Sequence, residues 1–315
     1  MALSIFSSEK RVTLTFAVAG LVTLLLAVLN VAIYLNFARG KDGTEAEKKF
    51  WYGKVSPKQK YDIVFTGDSR TLCGIDPQIF DKNLNCKAYN GAFTGGGINK
   101  VILDHIDKNL LNKNGSKKAV VLGITPMSMA ENSRANGHFE SLLKTVKEKE
   151  CFMTEVLEII FSEIRTKELK ALFKKRKLDK IYHSNGYLEK ISEVKPKARR
   201  SNLYGYKVYF KDYKFSQNSE REILSYTERW KKDNVIVFAF RLPTMPEMDA
   251  LEDSCCKKNI DSFKDKLTAA GGVWLDVRER SKYNSYDGSH LEQADAAELS
   301  KDLAGQIKKY FDTLK

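Results

Sequence analysis

Short apolar runs alternate with amphipathic segments along most of the chain after residue 60. The runs rich in β-forming residues lie at 61–66, 86–89, 119–124, 234–240 and 273–277. Segments with apolar residues at helical spacing lie between and after them, at 98–111, 247–270 and 291–314. Because strands alternate with helices, this pattern predicts an α/β domain with a parallel sheet covered by helices on both faces.

A different pattern occupies the N-terminal region. Residues 12–37 contain no charged side chain and are dominated by Leu, Val and Ala. A bilayer core of about 30 Å requires about 20 such residues, and a cleavable signal peptide has a shorter apolar region. We therefore expect an N-terminal tail at 1–11, an uncleaved transmembrane signal anchor at 12–37, a polar tether at 38–60, and the α/β domain at 61–315.

The alternation is interrupted between about residues 133 and 232. Helical patterns at 139–150 and 151–175 are followed by basic runs at 174–177 and 195–200 and by an aromatic-rich stretch at 204–213. This segment predicts an insertion that forms a cap. Its basic and tyrosine side chains could bind an anionic polymer or glycan, lie on lipid head groups, or form an ordinary solvated face.

Charge and cysteine content limit the classes of partner and ligand that the chain could bind. The formal net charge of +13 favours a polyanionic partner or an anionic membrane surface. Nucleic acid is a poor fit, because no recognised binding module is present. The five cysteines show no metal-ligand spacing, so we predict neither a metal nor a cofactor. Cys73 and Cys86 could pair in an oxidising compartment, and the sequence leaves this open.

Two short motifs at opposite ends of the predicted domain carry candidate chemistry. Gly67-Asp-Ser69 follows the first strand, and open α/β sheets bind ligands at the carboxyl ends of their strands. A serine hydroxyl needs a base to become a nucleophile, and Asp287-Gly-Ser-His290 precedes the last helix. The alternative is an ordinary strand-turn serine and a helix-capping turn.

These motifs, in this order, resemble the SGNH (GDSL-like) hydrolase superfamily. The resemblance implies a flavodoxin-like, three-layer α/β/α fold with a helical insertion. It also implies that Ser69 is the nucleophile and His290 the base, with Asp287 orienting the imidazole.

The glycine-rich turn 90–97 matches the second motif of that family. The resemblance implies that the N–H of Gly95, with Gly96 as the fallback, joins the N–H of Ser69 in an oxyanion hole. This turn does not match a phosphate-binding loop. It has neither the Gly-x-Gly-x-x-Gly spacing nor a Gly-Lys-Ser/Thr ending.

The third motif departs from the family. Where its members have Gly-x-Asn-Asp, this chain has Gly123-Ile-Thr-Pro-Met-Ser128. Thr125, Ser128 or Asn132 could donate from a similar place, and none is a clean match. The strand ending in Pro-Met-Ser is similar to the membrane-anchored SGNH-like branch associated with cell-envelope polymer acylation, including D-alanylation of teichoic acids.

Two arginines and Thr125 are predicted to contact the substrate. Arg70 follows the candidate nucleophile, and Arg241 lies just beyond the carboxyl end of the strand at 234–240, where it could bind a carboxylate or phosphate. A structural ion pair is equally consistent with Arg241. His105, His138 and His183 are expected to have no role in the site.

Together with the apolar N-terminal segment, the resemblance implies a membrane-anchored serine acyltransferase or esterase. It would act on acetyl- or D-alanyl-type groups of an envelope glycan or teichoic-type polymer through an acyl-Ser69 intermediate. Basic residues on both sides of the apolar segment do not fix its orientation, and the resemblance places the domain outside the cytoplasm. The resemblance also implies a multi-spanning membrane-bound O-acyltransferase as partner. The alternative is a catalytically inactive scaffold protein of polymer assembly, which the missing asparagine favours.

Overall fold

The computed structural model describes residues 44–131, 137–148, 180–191 and 196–314, with a few isolated helical positions between 17 and 28. The chain divides into two compact units, 49–146 with 179–315 and 1–48 with 147–178. The predicted helix at 151–175 and nearly all of the predicted anchor at 12–37 lie outside the described residues. Within the described residues, no helix combines the length and apolarity that a bilayer crossing requires.

The described elements alternate as the sequence predicts. The strands are β1 (Ile63–Gly67), β2 (Ala88–Asn90), β3 (Ala119–Ile124), β4 (Lys180–Tyr182), β5 (Leu188–Lys190), β6 (Ile236–Arg241) and β7 (Val273–Trp274). The α-helices are α1 (Thr44–Val55), α2 (Ser69–Gly74), α3 (Pro77–Leu84), α4 (Lys100–His105), α5 (Gly137–Glu148), α6 (Pro196–Phe210), α7 (Gln217–Lys232), α8 (Pro246–Ala269) and α9 (Gln293–Asp312). A π-helical turn, Ile106–Leu110, extends α4, and a 3-10 turn, Arg280–Lys282, precedes the last loop.

A five-stranded sheet forms the centre of the larger unit. Its strand order is β2-β1-β3-β6-β7, and every neighbouring pair is parallel. This is the flavodoxin-like order, whose direction reverses between β1 and β3. The prediction of an α/β domain with a parallel sheet is therefore confirmed. Strands β4 and β5 form a separate antiparallel hairpin.

Alternating strand residues form two apolar layers. Ile63 and Phe65 of β1 pack with α3 and α9 on one face of the sheet. Val64 packs on the other face with side chains of α4, α7 and α8, including the buried Trp230. Because both faces are covered, the strands read as continuous apolar runs rather than as alternating ones.

The boundaries of two predicted segments differ from the structure. Residues 49–55, placed in the tether, belong to the larger unit, where Phe50 and Val55 are buried. The predicted insertion 133–232 included α7, but Ile223 and Trp230 of this helix lie in the core. Residues 196–210, which cover most of the basic run and of the aromatic-rich stretch, form one helix, α6, that was not predicted from the sequence.

Cys73 and Cys86, both among the described residues, are free thiols and do not form the disulfide that the sequence left open. The structure instead joins the adjacent Cys255 and Cys256.

Candidate active site

The turn after β1 places Ser69 at the carboxyl end of the sheet, beside the point where the strand order reverses. Gly67 has φ +153°, and a Cβ atom there would lie 2.3 Å from the Thr71 hydroxyl oxygen. Gly123, its partner on β3, has the same constraint, with a Cβ position 2.0 Å from that oxygen. Both positions need glycine because α2 begins immediately and lies tightly against the strands.

Asp68 fixes the start of α2. Its Oδ1 accepts the backbone N–H of Arg70 at 2.9 Å, which is a helix N-cap. Its Oδ2 accepts the hydroxyl of Thr125 at 2.6 Å, and the Thr125 oxygen accepts the N–H of Ser128 at 2.9 Å. Thr125 was predicted to contact the substrate. Its hydroxyl is buried and holds Asp68 instead.

The structure brings Ser69, His290 and Asp287 together. Nε2 of His290 lies 2.9 Å from Oγ of Ser69, and Nδ1 lies 2.9 Å from Oδ2 of Asp287. Asp287 Oδ1 accepts the backbone N–H groups of Ser289 and His290 at 3.0 and 2.8 Å. A carboxylate can only accept, so Nδ1 carries the ring proton and Nε2 is free to accept from the serine. This arrangement can deprotonate Ser69.

The charge of Asp287 is secured by its hydrogen bonds. Burial by itself would raise the pKa of Asp287. The bond from the His290 ring, the positive charge that this ring carries when it is protonated, and the two backbone N–H groups outweigh burial, and the pKa lies well below its ordinary value. Asp287 is therefore ionised at neutral pH and orients the imidazole. The ring of Tyr286 stacks on that of His290, with centroids 5.9 Å apart.

Helix α6 fastens the loop that carries Asp287 and His290. Nε of Arg199 donates to the carbonyl of Ser285 at 3.0 Å. The Asn202 amide donates to the carbonyl of Asp287 at 3.0 Å. Tyr206 and Ser289 share a hydrogen bond of 3.0 Å between their hydroxyls. Because these three helix residues recur at helical spacing, one face of α6 lies against the loop.

The two arginines predicted to bind substrate are occupied by ion pairs. Arg70 is 2% exposed, and its Nη1 lies 2.6 Å from Oε1 of Glu252 on α8. Burial by itself would lower the pKa of Arg70, but the charge of Glu252 raises it above its ordinary value. Arg241 contacts Asp253 at 2.5 Å and Glu252 at 3.4 Å. For Arg241, the structure agrees with the ion-pair alternative.

The glycine-rich turn differs in exposure from one residue to the next. Gly95 is exposed and has φ +66°, a conformation that favours glycine, whereas Gly96 is buried. Their part in an oxyanion hole stays a prediction.

The remaining histidines lie elsewhere. His105 is buried, its Nε2 is 2.8 Å from the carbonyl oxygen of Lys54, and burial lowers its pKa. His183 pairs with Glu189 at 2.6 Å. The side chain of His138 lies outside the described residues. In the part of the chain that the structure describes, no group of three or more His, Cys, Asp and Glu side chains could hold a metal ion.

Several residues of the site were not predicted from the sequence. Asp68 was identifiable, because an aspartate before a helix is an N-cap signal. Ser289 lies inside the Asp287–His290 motif, but the partners of its hydroxyl, Arg70 and Tyr206, are far away in the sequence. Glu252, Asn202 and Tyr206 carry no local signal, because only the fold brings α6 and α8 to the loop.

Comparison with known proteins gives distant structural similarity. No protein-family model matches the chain, and no curated protein matches it. The chain is similar to a lipase/acylhydrolase from Enterococcus faecalis, with 11% identity over 79% of this chain and 95% of that one, and a TM-score of 0.40. It is also similar to a carbohydrate acetylesterase family member from Sinorhizobium meliloti, with 9% identity over 81% of this chain and 100% of that one, and a TM-score of 0.33.

Proposed function

We propose that this chain is a serine esterase or acyltransferase that forms an acyl-Ser69 intermediate. The observation that carries the proposal is the continuous hydrogen-bonded series from Ser69 through His290 to Asp287, at the carboxyl end of a parallel sheet. Serine, imidazole and carboxylate in this order activate a hydroxyl on many unrelated folds. The position agrees with ligand binding where the strand order reverses.

In the proposed reaction, Oγ of Ser69 attacks the carbonyl carbon of an ester while its proton passes to Nε2 of His290. The N–H groups of Ser69 and Gly95 are the proposed donors to the oxyanion. Collapse of the tetrahedral intermediate breaks the ester C–O bond, and His290 returns the proton to the departing alcohol. Water or an acceptor hydroxyl then attacks acyl-Ser69 by the reverse sequence, which gives hydrolysis or transfer.

We further propose that the acyl groups are of acetyl or D-alanyl type and that the acceptor is an envelope glycan or teichoic-type polymer. The basic character of α6 supports this, because Lys197, Arg200 and Lys207 are exposed on the helix that contacts the catalytic loop. The charge-free segment 12–37 supports a single-pass anchor, with the domain outside the cytoplasm. A multi-spanning membrane-bound O-acyltransferase is the proposed partner.

A binding or scaffold protein without catalysis is the second candidate. One observation favours it: the hydroxyl of Thr125, at the place of the missing third motif, is committed to Asp68. The site would then lack one oxyanion donor and keep the fold for binding alone.

A fluorophosphonate probe distinguishes the two. We would treat the full chain in mild detergent and read the adduct by intact mass and peptide mapping. We expect labelling of wild type at Ser69, and loss of labelling in Ser69→Ala and His290→Ala. Ser254→Ala, an exposed serine on α8, is the matched control and should label as wild type. A folded wild-type protein that stays unlabelled would favour the scaffold.

A further inference from the structure

Two contacts join the loop of the base to the helix of the nucleophile. The first is the contact between Ser69 and His290. The second joins their immediate neighbours, because Nε of Arg70 donates to Oγ of Ser289 at 2.9 Å. The contacts 69–290 and 70–289 thus lie side by side, although each spans more than two thirds of the chain.

We propose that Arg70 is a positioning residue: through its hydrogen bond to Ser289, it sets the distance between His290 and Ser69. This inference rests on the proposed function and adds to it a residue that does not itself touch the substrate. Catalytic groups must be held to about 0.5 Å, and neighbouring residues supply that restraint.

Ser289 is well placed to transmit the restraint. Its side chain is buried, its hydroxyl meets both Arg70 and Tyr206, and its backbone N–H donates to Asp287 at 3.0 Å. A shift of Ser289 therefore moves Asp287 and, through the next peptide, His290. The Arg70 guanidinium also lies over the Tyr206 ring, 5.3 Å from its centroid, so α6 covers the contact from outside.

Glu252 holds the arginine in place. Its side chain is 1% exposed and lies 2.6 Å from Nη1 of Arg70. A second arginine, Arg241, contacts the same carboxylate, and Arg280 lies nearby and contacts Asp249. A buried charged cluster is expensive to desolvate and often contributes no net stability. A role in positioning gives a physical reason for placing it behind the catalytic loop.

The test combines two measurements on the full chain. Ser289→Ala removes the acceptor and leaves the pair of Arg70 and Glu252 intact. We expect the labelling rate of Ser69 to fall about tenfold or more, since a small misplacement of catalytic groups has effects of this size. We also expect faster deuterium exchange of the amides at 286–291. The exposed Ser254→Ala should change neither quantity.

Arg70→Lys is the second variant, because lysine keeps the positive charge opposite Glu252 and lacks the Nε group. It should reproduce both effects, and the double variant should be little worse than the worse single variant, since both remove one interaction. Tyr206→Phe keeps the Arg70 contact and should have the smaller effect.

Either of two results for Ser289→Ala would overturn the inference. One is labelling within threefold of wild type, and the other is unchanged exchange at 286–291, even if labelling is lost. The exchange measurement needs no chemistry at Ser69. If wild type proves unlabelled, the proposed function fails while the exchange data still decide whether Arg70 restrains the loop.

Discussion

Replacing Asp287 by asparagine tests the central geometry. The amide oxygen can still accept the two backbone N–H groups that bond Asp287 Oδ1. The amide nitrogen would then face Nδ1 of His290 and donate to it. The ring proton must move to Nε2, which then donates toward Ser69 instead of accepting its proton. The base is present but in the wrong tautomer.

The expected loss is large and specific to reactivity. The wrong tautomer lowers the rate in a triad about 10⁴-fold, which corresponds to about 5.4 kcal/mol of transition-state stabilisation. The effect on folding is smaller. The hydrogen bonds of residue 287 remain but are no longer made to a charged group, which should lower the free energy of unfolding by about 1–3 kcal/mol. We would measure the pseudo-first-order labelling rate with a fluorophosphonate, beside thermal unfolding. Asp276→Asn, at an aspartate 77% exposed, is the matched control and should label at the wild-type rate.

The pH dependence has a definite sign. The pKa of Asp287 is lower in the folded chain than its unfolded value of about 3.9. Ionised Asp287 therefore stabilises the folded chain fully at pH values above the unfolded pKa. This contribution is lost as the pH falls through the folded pKa. Asp287→Asn should therefore destabilise the chain more at pH 7 than at pH 2. If the folded variant labels within tenfold of wild type at pH 7, His290 does not depend on Asp287 for its tautomer, and the reasoning is refuted.

Three further predictions address the turn, its support and the thiols. Gly67→Ala should lower the free energy of unfolding by more than about 2 kcal/mol and abolish labelling, because its Cβ would lie 2.3 Å from the Thr71 hydroxyl oxygen. Gly205→Ala, on an open helix surface, is the control and should leave the free energy of unfolding unchanged or raise it, as thermal unfolding would show. Thr125→Val should cost about 1–3 kcal/mol and slow labelling, because Asp68 loses a buried partner; a melting temperature equal to that of wild type would contradict this. Burial raises the pKa of Cys73 to about 11, so iodoacetamide at pH 8 should leave Cys73 unmodified in the native chain and modify it after unfolding, as peptide mass would show.

The local parts of the site were predictable because their causes are local. An apolar run followed by Gly-Asp-Ser determines a strand and a sharp turn within nine residues, 61–69. Asp287 and His290 are three residues apart, so one turn brings the carboxylate to the ring. The order of these motifs, relative to the alternating strands and helices, placed both at one edge of the sheet.

The side chains predicted to bind substrate have protein partners that the sequence did not predict. Arg70 follows Ser69 in a helix, and successive helical side chains point about 100° apart, so the two do not face the same space. Arg241 ends its strand at the expected edge but turns toward carboxylates on α8. Thr125 lies at that edge too, and its hydroxyl is bound by Asp68. In each case the position along the chain was known, but the protein partner lies far away in the sequence and was not predictable.

The sequence by itself determined the alternation of elements, the parallel sheet and the two motifs at its edge. These follow from hydrophobic periodicity and turn chemistry, which act over a few residues. Only the tertiary structure decided which charges pair, which helix covers the loop of Asp287 and His290, and where Ser69 contacts His290. Those contacts join residues up to 221 positions apart, and they depend on how α6, α8 and the loop pack. No pattern within one segment encodes a distance between two segments.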